Sequence, residues 1–353
     1  MQVTDILVDE TKRELTVQSQ SDFPLAVYYS VMSRNILGYT RLHWHPEFQL
    51  CLVRKGRICF YVNDTRFVLA PGEGIFINSG LLHLARPIED PDSSYICLNV
   101  APKLLSGFSG SLMEQRYILP LRSDTSFEAL RLCPDDSWQS QILDQIEQIY
   151  LLREDIAASA APRPDRFGEE DNAEKKAHVP ESRAQNPDTS DTPTSYSAQA
   201  HGQTSCSELR ILAIFYDMFH IIIGHRPKPQ AAGGRRRARA DSCVQKIITH
   251  IGEHYTEHLT LQDIADVTSY TESECCRIFK RFTGESIFSY LRAYRLEKSV
   301  SLLQDTRQSI SEIAYGCGFS STSYYIEEFK KQFKITPLQF RNSKAIISNA
   351  GCT

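Results

Sequence analysis

Residues 310–341, ISEIAYGCGFSSTSYYIEEFKKQFKITPLQFR, constrain the fold of this chain more than any other segment. Apolar side chains recur at helical steps on either side of Gly316 and Gly318, and two glycines so close together interrupt a helix. The apolar residues are Ile310, Ile313, Ala314, Phe319, Tyr325, Phe329 and Phe333. Ser320 and Ser321 stand where a second helix would begin, and a hydroxyl there accepts backbone N–H groups of the first helical turn. The pattern predicts two short helices that meet at a tight turn, which is a helix-turn-helix.

A similar arrangement precedes this segment. Thr260 is placed to cap a short helix, and Thr271 with Glu274 forms the sequence pattern of a capping box that opens the next helix. Gly284 is placed to end that helix, because glycine readily adopts the left-handed conformation found there. An apolar-faced helix over residues 287–303 would join the two units and, as a rigid connector, fix their separation.

The spacing over residues 318–341, G-F-S-S-x-S-Y-Y-x-x-x-F-K-K-x-F-x-x-T-P-x-x-F-R, resembles the second helix-turn-helix of the AraC family of bacterial transcription regulators. The resemblance implies an all-α domain at 243–343, with two helix-turn-helix units joined by a long helix. In such a domain the two recognition helices enter successive major grooves, about 34 Å apart. We therefore expect this domain to bind double-stranded promoter DNA.

The resemblance also assigns roles to side chains on the two recognition helices. Candidates for base contacts are Ser273, Cys276 and Arg277 on the first and Thr322, Ser323, Ile326 and Glu327 on the second. Candidates for phosphate contacts are Lys280, Arg281, Lys330, Lys331 and Lys334. Arg277 can pair bidentately with guanine, and Glu327 can accept a hydrogen bond from cytosine N4.

Three residues depart from the family pattern. Glu327 stands where arginine is frequent, Glu328 follows it, and Lys334 replaces the usual glycine. Adjacent carboxylates repel DNA unless one of them finds a donor on a base. We therefore expect weak reading by the second helix, with much of the affinity in the first unit and in the arginines of residues 235–239.

The first hundred residues have a different pattern. Short, often alternating apolar runs lie between turn residues at 26–31, 41–45, 48–53, 58–62, 66–69, 74–77 and 94–100. Such runs are typical of an all-β sandwich or barrel. Within them, His43-x-His45-x-Glu47-x-Gln49 and the later His83 resemble the two motifs of the cupin barrel. The predicted fold class is therefore multidomain α+β: an N-terminal all-β, cupin-like barrel at 1–100 with accessory helices, and a C-terminal all-α domain.

Because side chains alternate along a strand, His43, His45, Glu47 and Gln49 would share one face and converge with His83 inside the barrel. In metal cupins such imidazoles hold iron, manganese or zinc. Here Gln49 occupies the position of the acidic ligand, and sensor domains of the AraC family mostly lack metal. We therefore predict a polar ligand pocket lined by these five residues, with no cofactor. Metal binding by the three histidines stays open as the alternative.

The region at 101–153 is predicted to hold accessory helices. It carries a one-sided apolar stripe, at Trp138, Ile142, Ile146, Ile149 and Leu152. A stripe of this kind either packs on the barrel or pairs with a second copy of the chain.

Three segments have the composition of connections. Residues 154–205 are poor in bulky apolar side chains and are predicted to be a disordered insertion. After a further accessory helix at 206–225, residues 226–242 form a basic linker. It is either a solvated spacer or an arm whose arginines would add salt-sensitive phosphate contacts. Residues 344–353 form a tail.

Composition restricts the kind of DNA-binding surface, the redox state of the cysteines and the location of the chain. A formal net charge of −4 argues against a uniformly basic surface, so DNA contacts must come from a local cluster of charge. Ten cysteines without a C-x-x-C pair, and no signal peptide, predict free thiols in the bacterial cytoplasm. The longest apolar run, residues 211–223, contains Asp217 and His220 and is too short to cross a membrane.

The predicted function is a sequence-specific transcription regulator associated with the nucleoid, and not an enzyme. A small polar effector in the barrel would control the double helix-turn-helix domain. The resemblance favours a homodimer that activates transcription through contact with RNA polymerase. Two alternatives stay open: a metal-dependent cupin enzyme fused to a DNA-binding module, and a regulator that needs no ligand.

Overall fold

The computed structural model describes residues 6–9, 11–15, 22–160, 206–226 and 234–342, and the side chains of all these except 155–160 and 234–239. Its N-terminal half contains two antiparallel sheets. The strands are β1 (Leu25–Val31), β2 (Thr40–His43), β3 (Phe48–Lys55), β4 (Arg57–Val62), β5 (Thr65–Leu69), β6 (Gly74–Ile77), β7 (His83–Ile88), β8 (Ser94–Val100) and β9 (Ala129–Leu132). One sheet has the order β1-β8-β3-β6-β9 and the other the order β2-β7-β4-β5.

Ten α-helices follow or interrupt these strands among the described residues. They are α1 (Pro102–Ser106), α2 (Leu119–Arg122), α3 (Ser137–Ala160), α4 (Ser207–Gly224), α5 (Gly234–His254), α6 (Leu261–Asp266), α7 (Glu272–Thr283), α8 (Ile287–Asp305), α9 (Ile310–Gly316) and α10 (Thr322–Phe333). A short 3₁₀ turn at Met32–Arg34 and a π-helical turn at Glu114–Ile118 complete the elements.

The molecule is built in layers, and strand β3 shows how. Its Cys51 and Val53 point into the core between the two sheets, whereas Leu50 and Leu52 pack under α3 and α4 on the opposite face. Both faces of the strand are therefore buried, which explains why its sequence is a nearly continuous apolar run. The outer face of the four-stranded sheet is covered in turn by the helices of the C-terminal domain, through Leu42 and Leu84 among others.

All seven predicted strands are present, with ends that differ by up to two residues, but two strands were not predicted. Strand β7 contains Pro87, which argues against a strand in a sequence because proline lacks a backbone N–H. Strand β2 pairs with β7 only as far as Ala85, so Pro87 lies beyond that ladder. Strand β9 pairs with β6, so the barrel does not end near residue 100 as predicted: the region at 101–153 supplies one strand of the five-stranded sheet.

The apolar stripe on α3 packs within the chain. Ile142, Ile146 and Ile149 are fully buried in the cluster that joins the five-stranded sheet to α3 and α4. Gln141 donates a hydrogen bond to the carboxylate of Asp217 on α4, which gives the charged residue of that apolar helix a partner. The barrel and α4 therefore cover these three isoleucines, as the packing alternative predicts, whereas Trp138 and Leu152 are half-buried.

Two predicted connections differ from the structure. Residues 154–160 continue α3, and the rest of the predicted insertion, 161–205, lies outside the described residues. Helix α5 begins at Gly234, so residues 234–242 of the predicted linker are helical. The side chains of residues 235–239 and the whole tail at 344–353 lie outside the description. No helix in the described ranges has the length and hydropathy needed to cross a bilayer.

Candidate nucleic-acid interface and barrel cavity

The starts of the short helices in the C-terminal domain are fixed by side-chain caps. Three of them are complete capping boxes, Thr260 with Asp263, Thr271 with Glu274 and Ser309 with Glu312. Ser321 accepts a hydrogen bond from the backbone N–H of Tyr324 at the start of α10, 3.2 Å away. The capping box at Thr271 and the cap at Ser321 confirm the sequence predictions. A capped start gives each recognition helix a defined first turn, the turn that faces bases in this motif.

Both recognition helices are two-sided. Helix α7 buries Cys275, Ile278, Phe279 and Phe282, and α10 buries Tyr325 and Phe329. The predicted contact residues lie on the other faces. Those exposed are Ser273, Arg277, Lys280, Arg281, Ser323, Glu327, Lys330, Lys331 and Lys334, and those half-buried are Cys276, Thr322 and Ile326. Ile326 packs against the core of the second unit, so a contact with a base would use only part of its side chain.

The two adjacent carboxylates of α10 have different environments. Glu328 forms an ion pair with Arg292 of α8, with Oε2 2.9 Å from Nε, and its side chain is 12% exposed. Glu327 faces solvent. Arg292 therefore compensates the charge of Glu328, and Glu327 is the one of the two carboxylates left facing solvent. The repulsion of DNA is weaker than the sequence alone predicts. Sequence reasoning missed this arginine because 36 residues separate it from its partner.

The two helix-turn-helix units are held together around α8. The guanidinium of Arg295 donates to the backbone carbonyls of Tyr255 and Glu257, at 2.7 and 2.6 Å. Gly318, in the turn between α9 and α10, has a φ of +81° and approaches the same segment so closely that a Cβ would lie 2.5 Å from the carbonyl oxygen of Tyr255. A glycine is required there for both reasons. The end of α5 is thus fixed to the connector helix and to the second unit.

The barrel packs directly on the DNA-binding domain. Ion pairs join Arg41 to Glu297 at 2.8 Å and Asp64 to Arg281 at 2.7 Å, and Arg86 pairs with Glu285. Around them, apolar residues of the four-stranded sheet pack against Phe282, Ile287, Tyr290 and Leu291.

The barrel also contacts the turns that end both recognition helices. The hydroxyl of Tyr61 lies against Gly284, the left-handed residue after α7, whose φ is +76°. Gln332, in the last turn of α10, donates to the carbonyl oxygen of Leu37 at 3.0 Å. The barrel therefore contacts both units while the predicted base-reading faces stay open.

The predicted pocket residues come together, but not in the predicted way. Strand β2 ends at His43, the chain turns at Pro46, and β3 begins at Phe48, so His43, His45, Glu47 and Gln49 do not share a face of one strand. The imidazoles of His43, His45 and His83 nevertheless converge, with ring centroids 4.1 to 5.6 Å apart. His43 and Gln49 line a cavity of about 40 Å³ inside the barrel. The other three predicted residues do not line it.

Sequence reasoning missed most of the cavity wall. Its further lining residues are Ile6, Glu14, Tyr28, Ser30, Asn35, Thr40, Tyr95, Cys97 and Asn99. They come from strands β1, β2 and β8, from the segment before β1 and, for Asn35, from the connection between β1 and β2. Alternation along β8, which places Tyr95, Cys97 and Asn99 on one face, is the signal that would have found part of this wall.

Burial determines the charge in this region. It lowers the pKa of His43 to about 3, and it also lowers the pKa values of His45 and His83, so all three imidazoles are neutral at pH 7. Burial, with a smaller contribution from the nearby Glu47 carboxylate, raises the pKa of Glu14 to about 7. The cavity therefore presents neutral hydrogen-bonding groups and one carboxyl group that titrates near neutrality.

The segment of residues 6–9 and 11–15, here called the N-terminal arm, contacts both domains. Ile6 and Glu14 line the barrel cavity. Lys12, between them in the chain, places its Nζ 4.4 Å from the centre of the Tyr294 ring on α8. Burial lowers the pKa of Lys12 to about 8. A lysine is expected on the surface, so the sequence gives no signal for this contact.

Comparisons with known proteins agree with this architecture. An AraC-like ligand binding domain matches residues 34–163, and a helix-turn-helix domain matches residues 264–343. The HTH-type transcriptional regulator YdeC of Bacillus subtilis (strain 168) is 30% identical over 341 residues, which are 96% of this chain and 98% of that protein. The xylose operon regulatory protein of Escherichia coli (strain K12) is 32% identical over 106 residues, 30% of this chain and 27% of that protein.

Among solved structures, a transcriptional regulator with an AraC-type DNA-binding domain from Chromobacterium violaceum covers 31% of this chain and 96% of its own. The two are 29% identical, with a TM-score of 0.29.

A ligand-binding barrel packed on paired helix-turn-helix units defines a two-domain transcription regulator. The near full-length match and the two domain matches identify it further: the chain belongs to the AraC family. The resemblance seen in the sequence is thereby confirmed.

Proposed function

We propose that a small polar effector binds in the barrel cavity and changes, through the N-terminal arm, how the barrel holds the DNA-binding domain. The observation that carries this proposal is the position of the arm. Glu14 belongs to the cavity wall, and Lys12, two residues away, lies against Tyr294 of the connector helix. A change in the position of Glu14 therefore moves a residue that packs on the helix between the two DNA-reading units.

The size of the cavity supports a role for movement of the arm. Sites for drug-sized ligands have volumes of about 300–1,000 Å³. The barrel cavity, at about 40 Å³, holds only a few atoms while the arm is in place. An effector larger than that must displace Ile6 and Glu14. The hydroxyls of Thr40 and Tyr95, 3.1 Å apart, and the neutral imidazole of His43 then offer donors and acceptors to an uncharged polar molecule.

We further propose that Ser273, Cys276 and Arg277 read bases in one major groove and that exposed residues of α10 read the next. Arg281, Lys280 and the three lysines at the end of α10 would hold phosphates. RhaS of Enterobacter sp. (strain 638), which is named as a transcriptional activator, is 29% identical over 104 residues and supports activation as the sign of regulation. We propose that activation proceeds through RNA polymerase in the bacterial cytoplasm. A homodimer would use a surface other than the buried stripe of α3. Leu151 and Leu209 are exposed apolar residues of α3 and α4 available for it.

Footprinting of the full-length protein on its own promoter region tests the DNA proposal. We expect protection of two adjacent major grooves on one face of the duplex. Arg277→Ala should weaken binding to the preferred site by about 1–3 kcal/mol, or about 5- to 150-fold, and relax the preference at one guanine. Arg116→Ala, which removes an exposed arginine of the π-helical turn at Glu114–Ile118, is the matched control and should change neither.

Equal loss of affinity for all sequences on Arg277→Ala would show that this residue holds a phosphate and does not read a base. Protection of a single groove would contradict the joint use of the two units.

A further inference from the structure

A second cavity lies outside the barrel, between the N-terminal arm and the connector helix α8, and has a volume of about 390 Å³. Its wall comes from the arm and from α8, through Val8, Asp9, Thr11, Lys12, Tyr294, Glu297 and Lys298. The cavity opens to solvent, and its volume falls in the range of about 300–1,000 Å³ that is typical of small-molecule sites. Among the described residues, it shares no lining residue with the barrel cavity.

Lys12 is a buried cation in this wall. The residue is 6% exposed, and its Nζ lies 4.4 Å from the centre of the Tyr294 ring and 5.8 Å from that of Tyr290. Within the described part of the chain, Nζ donates to no oxygen and lies beside no carboxylate at ion-pair distance. A buried ammonium group is costly unless an acceptor pairs with it. Lys12 is therefore an unsatisfied group at the edge of an open cavity.

The carboxylates near Lys12 are engaged by other partners. Glu297 forms an ion pair with Arg41 at 2.8 Å. Asp9 accepts three hydrogen bonds from residues of its own turn in the arm. Together with Lys298, the described side chains of this cluster hold three cations and two carboxylates. Loss of the positive charge of Lys12 would leave equal numbers of both.

The same environment makes Lys12 a nucleophile. Burial lowers the pKa of its ammonium group to about 8, and the positive charges of Arg41 and Lys298 act in the same direction. At pH 7 about a tenth of the Lys12 side chains is then the free amine, compared with less than about one in a thousand for an ordinary lysine. The free amine is the form that attacks an acyl carbon.

Lys298 places a second positive charge over the same ring. Its Nζ lies 5.2 Å from the centre of the Tyr294 ring, and its side chain is half-buried. It forms no ion pair with a carboxylate among the residues that the structure describes. A phosphate group in the cavity would be attracted to this ammonium group while an acyl group attached to it lies against Lys12. The wall therefore suits a molecule that carries both groups.

We propose that Lys12 is a site of acylation by small acyl phosphates that enter this cavity. The amine of Lys12 attacks the acyl carbon, so a C–N bond forms and the C–O bond to the phosphate breaks. The phosphate leaves with the electron pair of that bond, and the nitrogen loses one proton to solvent. The product is an uncharged acyl-lysine, which leaves two cations and two carboxylates in the cluster. This inference does not depend on the proposed effector or on the proposed role of the arm.

The test incubates the full-length protein with acetyl phosphate at pH 7.5 and follows the acetylation of each lysine by mass spectrometry of its peptides. We expect Lys12 to be acetylated at least about 10-fold faster than Lys246, an exposed lysine of α5, because more of Lys12 is the free amine. In concentrated urea, where the cavity is lost, the two lysines should react at similar rates.

A variant of Lys298 tests the choice of acyl donor. Lys298→Met should slow the acetylation of Lys12 by acetyl phosphate about 1.5- to 5-fold more than its acetylation by the neutral reagent N-acetoxysuccinimide, because only the first donor carries a phosphate. Lys246→Met is the matched control and should change neither rate. Far-ultraviolet circular dichroism establishes that the variants are folded, and Lys298→Gln provides the same comparison if Lys298→Met is not.

The proposal is overturned if Lys12 of the folded protein is acetylated no faster than Lys246. A preference for Lys12 that persists in urea would contradict it as well, because neighbours in the chain and not the cavity would then make Lys12 reactive. If folded Lys298→Met slows both reagents equally, Lys298 does not attract the phosphate, and acyl phosphates are the wrong class of donor.

Discussion

Lys334 follows α10 and has a φ of +64°, the left-handed conformation that suits glycine. It is also one of the lysines proposed to hold a phosphate. We therefore expect Lys334→Gly to stabilise the fold and to weaken DNA binding in the same protein.

The size of the stabilisation follows from two opposing terms. A left-handed backbone costs a residue with a Cβ about 1–2 kcal/mol. Glycine loses more freedom on folding, which costs about 0.5–1 kcal/mol. The side-chain bond from Lys334 Nζ to the carbonyl oxygen of Lys331, 3.1 Å long, is exposed, and water replaces it at little cost. The net gain is about 0.5–1 kcal/mol, or about 2–8 °C in the Tm of a domain of roughly 100 residues that unfolds by itself.

Differential scanning calorimetry of the full-length protein measures this gain. Lys334→Ala is the matched control, because it removes the ammonium group but keeps a Cβ on the left-handed backbone, and its Tm should stay close to that of the unchanged protein. Both variants should flatten the plot of log affinity against log salt concentration by about 0.9. If Lys334→Gly is no more stable than Lys334→Ala, the backbone at Lys334 is not strained. If the salt slope is unchanged in both, Lys334 does not hold a phosphate.

Two further predictions concern the interface between the domains. Arg281 is 43% exposed and pairs with Asp64, so Asp64→Asn should free it for DNA. We expect affinity to rise about 1.5- to 5-fold, with a steeper salt slope, and this gain should disappear when Arg281→Ala is already present. An equal gain in both backgrounds would mean only that a negative charge near DNA was removed. The second prediction concerns Lys12, whose pKa falls from 10.5 to about 8 on folding. The folded chain then binds fewer protons than the unfolded chain between these values, so the free energy of unfolding should rise with pH from about 8 to 10.5, by roughly 3 kcal/mol in total. Urea unfolding at pH 7.5 to 9.5 should show this rise in the unchanged protein and not in Lys12→Met. If the free energies of unfolding of the two proteins depend on pH in the same way, Lys12 is not buried as a charged lysine.

The features that the sequence predicts well are those that neighbours in the chain decide. A capping box involves residues three apart, so Thr271 with Glu274 predicts the start of α7 directly. The left-handed end at Gly284 and the apolar face of each recognition helix have the same local origin. For this reason the helix-turn-helix units, and the family to which they belong, can be predicted from the sequence.

The features that it predicts poorly depend on residues far apart in the chain. The alternation from His43 to Gln49 suggests one strand, but Pro46 lies in a turn that sends the two ends into different sheets. The histidines still converge because β2 pairs with β7. Strand β7 is hard to predict from the sequence because it contains Pro87. The ion pair of Arg292 with Glu328 and the contact of Lys12 with Tyr294 likewise become visible only when distant elements are packed together.

The packing of the barrel limits how an effector can act on DNA binding. Tyr61 and Gln332 place the barrel against the ends of both recognition helices, while Arg277 and Glu327 remain exposed, so the barrel leaves the predicted base-reading face open. Through Asp64 the barrel instead pairs with Arg281, a proposed phosphate contact, and it touches the ends of both recognition helices. An effector changes the affinity for DNA only by as much as it prefers one arrangement of barrel and arm over the other. Under the proposed function, control therefore acts on the proposed phosphate contacts and on the relative placement of the two recognition helices, and leaves the identity of the base contacts unchanged.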